Sequence, residues 1–377
     1  MSTTPSSKEM IPKNWSYIGE IIKASKNEEN EILLTYVLTW NILGKSPTKE
    51  EMDKILPKDK KYDLYIVNTQ ECLKSIGASF IGSAKDKWVE MLKKHFGNDY
   101  VNVANESLSA FQISIFAHSS ISKDITNIKT GTIKTGFLNI MANKGATAIS
   151  FNYKTKSFLF LNSHLTSGQE KSMDRNKDFE RINNELNLEL VETQNITNNN
   201  TNNNSNNKDS TNDKKENEFT TISDKYDIAI WSGDFNYRIN LSKNAVFEGI
   251  KNNDYDQLRE YDQLNVEVGF GRLNFNNFDE GVIYFKPSYK YKVNEQKEGN
   301  DIYDDSRIPG WCDRIIYKTK RLSDLLLCKY DTVSGTKTSD HKPVYAVFKI
   351  EIGREDQKSL TSLNLKKNEK TAACLIY

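Results

Sequence analysis

Residues able to move protons and hold cations stand at the ends of the apolar runs of this chain. WSGDFNYR, Trp231 to Arg238, follows Tyr226, Ile228, Ala229 and Ile230, a pattern that reads as a buried strand. Side chains of a strand alternate with period two, so Asp234 and Asn236 project to the same side. An Asx turn closing the strand accounts for that pair when it is taken alone. The other apolar runs repeat the arrangement, ending in Asn41, Gln70-Glu71, Asn143-Lys144, Asn162-Ser163-His164 and Ser339-Asp340-His341. Layered α/β folds collect functional groups on loops at one edge, so these ends predict a single cleft. Singly, Glu71 reads as a solvated acid near a helix start, and His164 and His341 as hydrogen-bonded structural histidines. Together they make a chemically complete set: a hard carboxylate for Mg²⁺, an acid–amide pair for a water, two imidazoles and nearby cations. That set suits phosphoester hydrolysis. No G-x-x-x-x-G-K-S/T loop is present to cradle a nucleotide.

The elements that must position these groups are strands with interleaved helices. Strands are predicted at Glu31 to Asn41, Leu64 to Thr69, Gln112 to Ala117, Ala146 to Tyr153, Ser157 to Asn162, Tyr226 to Trp231 and Val344 to Ile352, with a turn at Lys154 to Lys156. Helical spacing occupies Lys85 to Phe96 and Gln169 to Val191, where Phe179, Ile182, Leu186 and Leu190 recur three or four apart. Residues 1–30 are polar and mixed and read as a disordered segment, and 353–377 as a polar tail. The composition at 193–217 collapses to Asn, Thr, Ser, Lys and Asp, which reads as a disordered insertion within one catalytic domain over 31–352.

Composition excludes several classes. The 52 Lys and Arg against 51 Asp and Glu leave a net charge of +1, so no global field attracts nucleic acid or a membrane. No stretch approaches a membrane span and the first residues lack a secretory core, so a cytoplasmic location is expected. Cys72, Cys312, Cys328 and Cys374 have no metal-type spacing, and reduced thiols are expected. Nothing in the chain calls for an obligate protein partner.

The blocks TWNILGK, NTQEC, MANKGA, LNSHL, WSGDFNYR, KPSYKYK, RIPGWCDRI and SDHKPV resemble, in order, the signature blocks of the inositol polyphosphate 5-phosphatases. The match spans about residues 32 to 352. The resemblance implies an α/β fold of the endonuclease-exonuclease-phosphatase type, a four-layer sandwich of two mixed β-sheets packed face to face with helices on the outer faces. It also implies a Mg²⁺-dependent phosphomonoesterase. By motif, Glu71 resembles the metal ligand with Asn41 beside it, and Asp234 the general base with Asn236 orienting the water. His341 resembles the imidazole on the scissile phosphate, Asp340 the carboxylate fixing its tautomer, and His164 a second phosphate donor. Lys144, Arg238, Tyr289, Lys290 and Arg307 resemble substrate contacts. Asp304-Asp305-Ser306 stands where relatives often carry basic residues, and Ala142 where glycine is common. Phe137 and Leu138 resemble a loop that meets acyl chains in lipid-acting members.

The substrate implied is phosphatidylinositol 4,5-bisphosphate, with the 3,4,5-trisphosphate beside it, at a membrane surface where the protein would sit peripherally. Soluble inositol 1,4,5-trisphosphate or the 1,3,4,5-tetrakisphosphate is the alternative, and a nuclease or sphingomyelinase of the same superfamily a distant one. Cys374, four residues from the end, has the spacing of a prenylation signal with lysines upstream, although Tyr377 departs from the usual terminal residue.

Overall fold

Leu, Val, Thr and aromatic side chains dominate Glu31–Asn41, the first strand (β1) of the computed structural model. The structure describes residues 31–72, 81–136, 143–191, 220–275, 278–293, 295 and 301–353. After β1 come α1 (Lys49–Ile55), β2 (Leu64–Gln70), α2 (Ile81–Phe96), β3 (Tyr100–Leu108), β4 (Phe111–His118), β5 (Ile125–Lys134), β6 (Gly145–Tyr153) and β7 (Lys156–His164). Then follow α3 (Ser172–Glu185), β8 (Glu189–Leu190), β9 (Ile228–Asp234), α4 (Lys243–Asn252), α5 (Tyr255–Glu260) and α6 (Gln263–Gly269). The last elements are β10 (Asp279–Glu280), β11 (Asp313–Thr319), β12 (Leu325–Thr332) and β13 (Val344–Ile352).

Two sheets form, in the orders β12-β13-β1-β2-β4-β3 and β10-β11-β9-β7-β6-β5-β8. Both are mixed: β1 and β2 run parallel in one, β7 and β9 in the other, among antiparallel neighbours. The period-two rule sorts their faces. Val37, Ile66 and Ile113 of the first sheet meet Phe151, Phe160 and Ile230 of the second in a shared core. Tyr36, Trp40 and Tyr65 on the opposite face pack with Met52 and Ile55 of α1 and Trp88 and Leu92 of α2. On the far side of the second sheet, Leu159, Leu161 and Trp231 pack with Phe179 and Ile182 of α3 and Leu264 of α6. Phe179 stacks on Trp231 with ring centroids 4.2 Å apart. The predicted four-layer sandwich is therefore the observed one.

Near one end of the sandwich the contact between sheets turns polar. Asn68 of β2 donates to Ser232 of β9 at 2.6 Å, and Gln70 of β2 to Asn162 Oδ1 of β7 at 2.7 Å. Asn162 in turn donates to the Gln112 carbonyl at 2.9 Å. Buried amides so paired fix the register of one sheet on the other, because each lost partner would leave a desolvated polar group.

The seven predicted strands form: two keep their expected bounds, four are longer by one to three residues, and the one expected from Tyr226 to Trp231 runs instead from Ile228 to Asp234. The helix predicted over Gln169 to Val191 is shorter: it ends at Glu185, and Glu189 and Leu190 pair with β5 instead. Leu190 is exposed, so its helical spacing does not report a buried face. The segments at 1–30 and 193–217, the tail beyond Gly353, Phe137, Leu138, Ala142 and Cys374 lie outside the described residues.

Candidate active site

The registers bring the strand ends together. His164 on β7 is the cross-strand neighbour of Asp234 on β9, and Asp313 on β11 is the neighbour of Asp234 on its other side. Asn41 ends β1 opposite Gln70 of β2, one residue before Glu71. Gly233 makes the close pairing of β7 and β9 feasible. Its φ is +152°, and a Cβ there would lie 2.0 Å from the Ser163 carbonyl oxygen.

Asp234 is buried at the centre. Its Oδ2 accepts from Asn41 Nδ2 at 3.1 Å and lies 3.3 Å from His164 Nε2 and 4.0 Å from His341 Nε2. Its Oδ1 accepts the Asn236 backbone N–H at 3.1 Å. Burial alone would raise the Asp234 carboxyl, but the His341 charge and the His164 hydrogen bond outweigh it and hold the group well below the usual carboxylate range. Asn236 sits at a φ of +59°, which asparagine tolerates better than most residues. Its Nδ2 donates to the Leu165 carbonyl at 3.1 Å, and its Oδ1 accepts from Arg238 at 2.6 Å.

His341 receives its partner from the other sheet. Its Nδ1 is 2.8 Å from Asp313 Oδ2, which also accepts the Ser288 hydroxyl at 2.7 Å. Burial opposes the imidazolium, yet the Asp313 and Asp234 carboxylates outweigh it and raise His341 to about 9. Burial pushes Asp313 up. The expected role of Asp340 is corrected here: Asp313, not Asp340, fixes the His341 tautomer. The ring nitrogen Nδ1 is bonded to Asp313 across the site, and Asp340 acts on the imidazole only through its charge, after those of Asp313 and Asp234. Asp340 Oδ1 is buried without a hydrogen-bond partner among the described residues.

His164 Nε2 is 2.5 Å from the Lys144 ammonium as well as near Asp234, and so lies between a cation and an anion. Burial, then the Lys144 charge, lowers its pKa, which leaves the imidazole neutral at pH 7. Burial also brings Lys144 down to about 8.

Asp234, Asp313 and His341 offer ligand atoms within 4.8 Å of one another. This trio does not suit a cation, because Asp313 and His341 are already bonded and the imidazole holds its proton. A better oxygen set lies at Glu71. Asn41 Nδ2 reaches both Glu71 Oε1, at 3.4 Å, and Asp234 Oδ2. The amide thus brings two carboxylates together, and hard oxygen donors suit Mg²⁺ or Ca²⁺.

A cleft of about 400 Å³ opens beside these groups, walled by Arg238, Tyr289, Arg307, Ser167, Gly168 and Gln169. Three of the five expected substrate contacts therefore share one wall. The Tyr289 ring lies 4.5 Å from that of His341, and the Arg238 guanidinium 4.7 Å from the Tyr289 ring. Arg238 also positions Asn236, donating to both its carbonyl and its side chain. Lys144 stands apart at His164. Lys290 is paired with Asp304 at 2.8 Å.

Two contributors escaped sequence reasoning. Asp313 lies inside the PGWCDR block, and only the pairing of β9 with β11 reveals its partner. Glu51 carries no motif at all. It completes the capping box of α1 with Thr48 and also accepts from Thr338 N at 3.0 Å, from the Thr338 hydroxyl and from Lys337 N. The loop leading to His341 is thereby anchored to α1, and Ser339 bonds the Asn41 carbonyl at 2.5 Å. Glu51→Ala is expected to destabilise the fold by about 1–3 kcal/mol, since it strands several buried donors at once. A urea unfolding midpoint unchanged from wild type would refute this.

The chain belongs to the endonuclease/exonuclease/phosphatase family, whose family 2 it matches over residues 38–347. Phosphatidylinositol polyphosphate 5-phosphatase type IV of Rattus norvegicus is 30% identical over 332 residues, covering 85% of this chain and 46% of that protein. Phosphatidylinositol 3,4,5-trisphosphate 5-phosphatase 1 of Mus musculus is 29% identical over 352 residues, covering 86% and 26%. The chain thus spans less than half the length of these relatives. The solved inositol polyphosphate 5-phosphatase domain of SPsynaptojanin, in complex with inositol (1,4)-bisphosphate and calcium, matches with a TM-score of 0.70 at 27% identity, covering 95% of this chain and 98% of that one. The resemblance read from the signature blocks extends to whole domains.

Proposed function

We propose that the chain is a Mg²⁺-dependent phosphomonoesterase that removes the 5-phosphate of phosphatidylinositol 4,5-bisphosphate, and of the 3,4,5-trisphosphate. The observation that carries this reading is an ionised Asp234 facing a protonated His341 beside a cation-walled cleft. Similarity to phosphatidylinositol 5-phosphatases supports it. Asp234 would accept the proton of a water, whose oxygen attacks the phosphorus in line as the bond to the inositol oxygen breaks, the leaving oxygen taking up a proton from solvent to become the inositol hydroxyl. Asn236, held by Arg238 and Leu165, would orient that water. His341, its ring fixed by Asp313, would donate to a phosphoryl oxygen, with His164 and Lys144 on the flank. Glu71, with Asn41 beside it, would hold the Mg²⁺, which supplies charge neutralisation on the transferring oxygens.

The lipid reading makes the protein a peripheral one at cytoplasmic membrane surfaces, with Phe137 and Leu138 toward the acyl chains and Cys374 as a lipid attachment point. Phosphate release in Mg²⁺ from the two lipids, inositol 1,4,5-trisphosphate and inositol 1,3,4,5-tetrakisphosphate tests the reading. Release from the lipids at the higher kcat/KM is expected; turnover of the soluble pair alone would replace it with the soluble-substrate reading, and no release from any would refute it. Glu71→Gln is expected to move half-saturating Mg²⁺ upward by about tenfold or more, because a neutral amide is a poorer hard-cation ligand. An unchanged Mg²⁺ titration would remove Glu71 from the metal site.

A further inference from the structure

We propose that Asp304 is a specificity-determining residue, which holds the Lys290 ammonium and so weakens recognition of substrates that carry several phosphates. The inference rests on the phosphatase reading above and concerns which polyphosphates that site prefers.

The pair is built into the backbone on both sides. Lys290 Nζ lies 2.8 Å from Asp304 Oδ2 and 3.2 Å from Ser306 Oγ. The Asp304 backbone N–H donates to the Lys290 carbonyl at 2.8 Å, and Asp304 Oδ1 accepts the Ser306 N–H at 2.8 Å. The segment is tied down further by the bridge between Tyr291 and Tyr303 and by the ion pair of Lys342 with Asp301 at 2.9 Å. The carboxylate is therefore fixed against the ammonium. Both side chains keep about a quarter of their surface exposed, 25% and 27%, so an incoming anion can reach the pair.

The cleft wall shows why this matters. Of its cations, Arg238 bonds Asn236, while Arg307 makes no ion pair among the described residues. Ser306, which bonds Lys290, lines the same cleft. Through its bond to Ser306 of the cleft wall, the Lys290 ammonium stands at the edge of that cleft. A second or third phosphate arriving there meets a neutralised cation with a carboxylate behind it, and like charge repels. The hydrogen bond with Asp304 raises Lys290 and that with Lys290 lowers Asp304, so both partners are ionised at neutral pH. Asp304→Asn removes the charge while Asn Oδ1 still accepts from Ser306 N–H, which keeps the loop.

The test is steady-state kinetics of the full chain on inositol 1,5-bisphosphate, inositol 1,4,5-trisphosphate and inositol 1,3,4,5-tetrakisphosphate, for wild type, Asp304→Asn, Lys290→Ala and the double variant. Asp304→Asn is expected to lower KM for the tris- and tetrakisphosphate by about three- to tenfold, the worth of one partly exposed charge pair, with a smaller change for the bisphosphate and little in kcat. In the Lys290→Ala background the gain should shrink, because no ammonium is left to release and only the repulsion of the carboxylate is removed. Equal KM shifts for all three substrates, no shift, or an undiminished effect without Lys290 would overturn the proposal. Calorimetric binding of inositol hexakisphosphate to the four proteins gives a readout without turnover: tighter binding by Asp304→Asn alone is expected, and identical affinities would overturn the role of Asp304. Absence of hydrolysis by wild type of these substrates and of the two lipids would instead count against the phosphatase reading.

Discussion

Asp234→Asn is expected to lower turnover by about 10²- to 10⁴-fold while leaving the fold intact, the range associated with losing a positioned base. The substitution is nearly isosteric, and Asn Oδ1 can still accept from the Asn236 N–H. What disappears is the charge. His341 and Lys144 both depend in part on that carboxylate for their protonated state, so the variant should also shed protons from the site at lower pH. A folded variant, judged by an unchanged unfolding midpoint, that hydrolyses phosphate monoesters within tenfold of wild type would remove Asp234 from the base role.

The second large effect belongs to Asp313→Asn, a residue that touches no substrate and acts through His341. Turnover is expected to fall by about 10²- to 10³-fold, comparable to losing one preorganised donor, because the amide no longer favours the tautomer and charge that the ring needs. The pH profile separates this from simple damage. In wild type the imidazolium persists up to about 9, so activity should hold through neutrality and fall as pH rises through Lys144 near 8 and then His341 near 9. The Asp313 carboxylate is the largest of the three charges raising His341. Its removal must therefore move the alkaline limb to lower pH, toward the ordinary histidine value of 6.5. An Asp313→Asn profile with its alkaline limb in the wild-type position would sever the link between the two residues.

The core strands could be read directly because their apolar runs are long and uninterrupted. β3, β5, β11 and β12 could not, for two reasons. β5 and β3 are half-exposed and carry Thr, Lys and Asn, so neither alternation nor a run marks them. β11 opens with Asp313 and Arg314, charged residues that are fully buried because His341 and Ser288 partner the first and Glu280 and Asp262 the second. A single sequence shows the charges and not the partners. The same reason explains the site. Asp234, Asn236, His164 and His341 announce themselves at strand ends, whereas the choice between Asp340 and Asp313 depends on a contact 28 residues away in the chain. Arg238 was legible as a cation near the cleft, but its bonds to Asn236 follow from the turn after β9.

Each half of the sandwich holds only part of the machinery. His164, Asp234 and Asp313 form one row across the second sheet, while Asn41, Glu71 and His341 come from the first and its loops. The bonds joining Asn41 to Asp234 and His341 to Asp313 all cross between them. On the proposed function, turnover would therefore gauge how the two sheets are seated, more finely than any measure of strand content. An expanded state that kept both sheets and lost their fixed packing would retain its far-ultraviolet signal and forfeit every one of these bonds together. Heat or mild acid should silence such an enzyme before it melts.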